Sequence, residues 1–141
     1  MKPIEVEQPV STNVQQDILT RFIGTAQLRV LRANCRSEEG AFFQEKLEAL
    51  RTLFTAMPKT YEADGENAIA YLHYFNSLSD WWITERDMGE EQMQAYGLAC
   101  LHGNWQMAEM GYISIQELIA HGVELDFYWT PKTIAQIKEN E

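Results

Sequence analysis

Leu19, Phe22, Ile23, Ala26, Val30 and Ala33 recur at helical spacing, which predicts a helix over about 13 to 34 with one apolar face. Ser11, Thr12 and Asn13 stand ahead of it, and each side chain is a good N-cap. Gly24 lies midway at a cost of about 1 kcal/mol against alanine, which points to a kink or a close helix crossing. Phe43, Leu47, Leu50, Phe54 and Met57 form a second, narrower stripe, predicting a helix over 39–57 that Pro58 stops. Two adjacent amphipathic helices are most simply an αα-hairpin.

After residue 60 the period changes to two. Ile69, Tyr71, His73 and Phe75 alternate with Ala70, Leu72 and Tyr74, so a strand is predicted with apolar or aromatic groups on both faces. Residues 76–80 form a turn cluster, and Trp81 to Asp87 returns as a second strand. Further strands are expected at 95–101, 111–113 and 123–129. Ser114 and Glu117 have the spacing of a capping box for a short helix ending near Gly122. Thr130 followed by Pro131 reads as the cap and first position of a last helix. Segregated helices followed by hairpin-connected strands make the fold class α+β: an N-terminal helical hairpin against a small, mostly antiparallel sheet, with short C-terminal helices. Tyr71, Tyr74, Trp81 and Trp82 concentrate in one hairpin. Either helices cover both sheet faces, or one aromatic face is a contact surface.

A chain of 141 residues with 45% hydrophobic and 23% charged positions fits one soluble domain. Within it we read an arm over 1–10, a helical part over 11–60 and an acidic sheet part over 61–141. The net charge of −10 argues against a general nucleic-acid binder. That charge is unevenly placed: residues 1–60 sum to +1, and residues 61–141 sum to −11 with Arg86, Lys132 and Lys138 as their cations. Such an excess either solubilises a surface or docks a basic partner. No apolar run is long enough to cross a membrane and no basic start precedes an apolar stretch, so neither a span nor a signal peptide is expected. Cys35 and Cys100 cannot supply a disulfide framework and suit a reducing cytoplasm.

Motifs with a known chemistry are absent: no phosphate loop, nucleophile elbow or zinc-protease pair occurs. His73, His102 and His121 fall in separate predicted elements without metal-ligand spacing, so neither metal nor cofactor is expected. His73, among aromatics, reads as a packed and hydrogen-bonded side chain. A Cys–His nucleophile pair would have to be assembled by the fold. Glu85 and Asp87 share a strand face near Glu90 and Glu91, a cluster that could bind cations or simply be a solvated strand end. Arg21, Arg29, Arg32 and Arg36 lie within about 80° of one another if the first helix extends to residue 36, forming a basic face.

The stretch Tyr71-Leu72-His73-Tyr74-Phe75, then Asp80-Trp81-Trp82-Ile83-Thr84-Glu85 with Asp87, carries a family resemblance. It continues through Tyr96-Gly97, Glu109-Met110-Gly111-Tyr112-Ile113-Ser114, Glu117-Leu118 and Glu124-Leu125-Asp126 before Pro131, with Met110 where leucine is expected. This pattern resembles uncharacterised accessory proteins of plasmids, phages and integrative elements, a family of unknown function. The resemblance implies a small cytoplasmic protein serving mobile DNA in a bacterial host, and carries over no catalytic residue. The resulting expectation is a non-enzymatic accessory protein, monomeric or homodimeric, that binds a basic macromolecule through Glu85, Asp87, Glu90 and Glu91 with Trp82 as an aromatic anchor. Its sharpest form is a DNA mimic aimed at a defence enzyme. The alternatives are a nucleic-acid accessory using the arginine face, and an enzyme with an unrecognised site.

Overall fold

The computed structural model describes residues 17–59 and 65–140. The arm over 1–10 and the caps Ser11, Thr12 and Asn13 lie outside the described residues. The chain is α+β. Its helices are α1 (Leu19–Phe22), α2 (Thr25–Asn34), α3 (Gly40–Ala56), α4 (Ile115–Ala120) and α5 (Ile134–Glu139). Its strands are β1 (Ile69–Ala70), β2 (Leu72–Phe75), β3 (Asp80–Glu85), β4 (Ala95–Cys100), β5 (Glu109–Ile113), β6 (Glu124–Leu125) and β7 (Lys132–Thr133). Five strands form an antiparallel sheet in the order β5-β4-β3-β2-β6, and β1 pairs with β7 apart from it.

The first predicted helix is two. Ile23 is extended at φ −128° and ψ 131°, and Gly24 caps α2 with φ −62° and ψ 153°. A straight continuation would leave α1 unable to turn Leu19, Phe22 and Ile23, all at most 1% exposed, into the core. The break is held by Asp17, whose carboxylate accepts the Leu19 amide at 3.2 Å, Arg32 at 2.6 Å and a two-pronged contact from Arg51 at 3.2 and 3.3 Å. Burial alone would raise the pKa of this carboxyl. The hydrogen bonds from Arg51 and Leu19, with the charges of Arg51 and Arg32, outweigh burial and hold it below the usual value. Asp17→Asn should therefore cost about 1 kcal/mol at neutral pH, a modest figure because both arginines are partly exposed. A depressed folded-state pKa stabilises above the unfolded value of about 3.9, and that stabilisation disappears as pH falls through the folded value. Urea midpoints of the two proteins should accordingly differ at pH 7 and converge in acid.

Helix α3 follows the stripe: Leu47, Leu50, Phe54 and Met57 are buried and Phe43 is half-buried. Phe54 stacks on Phe22 with ring centroids 4.2 Å apart. The buried Tyr74 hydroxyl donates to the Phe22 carbonyl, tying β2 to the end of α1, and burial pushes its pKa well above the usual value. Residues from the helices join Leu72, Tyr74 and Ile83 of the sheet in the main core. The opposite face is covered as well. Trp82, Leu98 and Cys100 pack with Ala70 and with Ile134 and Ile137 of α5. Two-sided cover answers the aromatic alternation: this hairpin is the middle of a sandwich, not an open face.

The edge strand β6 is closed by a side chain. Gln27 of α2 donates its amide to the Leu125 carbonyl at 2.8 Å and accepts the Leu125 N–H at 2.9 Å, as a neighbouring strand would. Two predicted elements move. The strand over 123–129 is only Glu124–Leu125, because Asp126 accepts the Tyr128 amide and turns the chain. The last helix begins at Ile134, capped by a reciprocal Thr133 and Gln136 box in place of Thr130 and Pro131. Ser114 caps α4 by accepting the Glu117 amide, one half of the capping box that its spacing predicted.

Candidate functional site

The acidic group expected to act together is divided. Glu85 is 4% exposed and Trp82 is 6% exposed on the central strand β3, so neither is presented to a partner. The strand end on which the carboxylates were expected to be exposed is interior: Glu85 is buried, and Trp82 packs against Leu98 and Cys100 of β4 and Ile134 and Ile137 of α5. Asp87 is half-buried and organises its own loop: Oδ1 accepts the Gly89 amide, and Oδ2 accepts the amides of Met93 and Gln94 at 3.1 Å each. Gln92, fully buried at φ +58°, accepts the Asp87 amide on its side chain and donates to the Gly89 carbonyl. Its own carbonyl receives the Ile115 amide at 2.9 Å, anchoring the loop to α4.

Glu90 and Glu91 are the exposed pair at the tip of this braced loop, with Met88 at 62% and Met93 at 53% exposure beside them. Arg21, Asp87, Glu90, Glu91 and Met93 line one surface depression of about 590 Å³. Arg21 thus leaves the predicted arginine face, because the break at Ile23–Gly24 turns α1 away from α2. Arg29, Arg32 and Arg36 remain together around a second depression. Arg36 lies beyond the end of α2 at Asn34.

His73 lies between two carboxyl groups. Its Nδ1 lies 2.9 Å from Asp126 Oδ2 and its Nε2 lies 2.8 Å from Asp80 Oδ1. The ring stacks on Trp82 at 5.2 Å and meets Trp129 at 5.2 Å. Both ring nitrogens are engaged, each by a different carboxyl group. No group of three or more metal-ligating side chains is placed to hold an ion among the described residues. His102 and His121 are exposed and apart from it. Cys35 is half-buried and gives its thiol to the Leu31 carbonyl; Cys100 is buried in the second cluster.

Beyond Asp126, a cavity of about 140 Å³ opens between α3 and the β2–β6 edge, lined by Leu50, Leu53, Tyr71, Phe127 and Trp129, with Lys46 among its polar groups. A volume near 150 Å³ accepts one benzene-sized group. Sequence reading missed Asp80 and Asp126 as partners of His73, since 53 residues separate His73 from Asp126 and no local spacing announces the contact. No described helix is long and apolar enough to cross a membrane. No family model matches the chain, and neither a curated protein nor a solved structure is significantly similar to it.

Proposed function

We propose that the protein is a non-catalytic binding protein whose acidic second half docks a basic macromolecular partner, with the loop over 87–94 as the contact. The observation that carries this reading is the braced loop: Glu90 and Glu91 make no ion pair among the described residues, with Arg21 the one cation lining their depression, and stand beside two exposed methionines. Fixed carboxylates steer a basic partner, and methionine adapts to whatever apolar surface it brings. Two of the half's own cations are engaged elsewhere: Lys138 pairs with Glu66 at 2.7 Å and Lys132 sits over the Trp129 ring. The resemblance of the chain from Tyr71 onward to mobile-element accessory proteins supports a host or element-encoded partner. DNA mimicry is the form in which Glu90 and Glu91 stand in for phosphates.

The test is a pull-down at low salt, followed by association kinetics on the captured partner. Glu90→Lys/Glu91→Lys should slow association at least tenfold and flatten its salt dependence, because extended charge acts mainly on the on-rate. Stability should change by no more than about 0.5 kcal/mol, since both side chains are exposed. Equal on-rates and salt slopes for the two proteins would refute the reading.

A further inference from the structure

We propose that the depression over α2 is an anion site for a phosphate dianion, either free or as the head of a small monoester. Arg29, Arg32 and Arg36 line it with Thr20 and Thr25 and with Ile23 and Leu28, and its volume is about 380 Å³. Arg29 and Arg32 are three residues apart on α2 and so face the same way, and Arg36, just past the helix end, lines the same hollow; like charges this close repel rather than support the fold. Only Arg32 is compensated, by Asp17 at 2.6 Å. Arg29 and Arg36 carry no ion pair among the described residues. An acidic chain of net charge −10 therefore keeps three guanidinium groups around one hollow with a single carboxylate attached among the described residues.

A phosphate dianion suits this arrangement in charge and shape. It offers each planar guanidinium fork an oxygen, and Arg–phosphate contacts of this kind are among the strong hydrogen bonds. Asp17 engages one nitrogen of Arg32 and orients the group, leaving its other N–H donors free. The Thr20 hydroxyl is committed to the Asp17 carbonyl at 2.8 Å, so Thr25 supplies the open hydroxyl. The hollow is wider than a phosphate group, which leaves room for the organic part of an ester. This site shares no residue with the depression at the acidic loop, so either can fail without the other.

Calorimetric titration at constant ionic strength tests it, with inorganic phosphate in one arm and ribose 5-phosphate in another. Saturable binding is expected with wild type, at least tenfold weaker binding with Arg29→Gln/Arg36→Gln, and unchanged binding with Arg21→Gln. An unchanged thermal midpoint in the double variant shows that its fold is intact. Tighter binding of inorganic phosphate assigns the site to the free ion, and tighter binding of the ester assigns it to a monoester. Absence of saturable binding in both arms, or equal affinity in the double variant, overturns the proposal. Binding of a duplex oligonucleotide alone also overturns it and gives the arginines to a nucleic-acid backbone.

Discussion

Gly97→Ala should cost more than about 4 kcal/mol, at the extreme of single substitutions. A Cβ at Gly97 would lie 1.9 Å from the Trp82 carbonyl oxygen and 2.9 Å from Ile83 Cα. The obstacle is the backbone of β3, next to the irregular register between Ile83 and Glu85, so no side chain can rotate away. The methyl must push β3 and β4 apart at the centre of the sheet, which strains both covered faces together. Gly111 is the control, since it stands opposite Gly97 across β4 and β5 and a Cβ there meets nothing within 4 Å. Gly111→Ala should stay within about 1 kcal/mol of wild type, and a narrower unfolded ensemble favours a small gain. Urea unfolding of the two variants makes the comparison. Equal midpoints would mean that β3 and β4 do not approach as described.

His73→Ala should cost about 2–3 kcal/mol, below the 3–5 typical of a fully buried pair because Asp80 and Asp126 keep some solvent. The loss has two sources. Asp80 and Asp126 lose the ring nitrogens between them, and Trp82 and Trp129 lose the ring packed against them. His121→Ala, at an exposed histidine that bonds only its own helix, should cost less than about 1 kcal/mol. A double-mutant cycle with Asp126→Asn should return a coupling of about 1 kcal/mol or more, since the side chains touch. Midpoints that match for the two histidine variants, or a coupling near zero, would remove the clamp that joins β2 to β3 and to the turn after β6.

Much of the fold was legible from local chemistry. The stripe of α3, the Asn76 turn, the Ser114 cap and the alternation of β2 and β3 each depend on residues a few positions apart, so spacing reports them directly. The α+β class followed from their order. Where the reading went astray, a stronger contact lay elsewhere. Thr130 and Pro131 resemble a helix start, but Thr133 with Gln136 completes the reciprocal cap and places Ile134 and Ile137 against Trp82.

The site was far less legible. Charge counting located the acidic half and alternation placed Glu85 on a strand, but neither can say what covers that strand. Burial depends on β4 and α5, which lie about 15 and 50 residues further along the chain. The same limit applied to the arginines, whose common face required a straight helix that Ile23 and Gly24 interrupt. By itself the sequence determined the periodicity, the apolar stripe of α3 and the excess of −11 over residues 61–141, but not the stripe of the first helix: Ala26, Val30 and Ala33 are exposed, and α2 buries Leu28 and Leu31 instead. Tertiary structure alone decided that Trp82 and Glu85 are interior, that Asp87 braces a loop for Glu90 and Glu91, and that His73 lies between two carboxylates. The physical reason is range: backbone preference and helix spacing act over a few residues, whereas burial and ion pairing depend on groups that only the closed chain brings together.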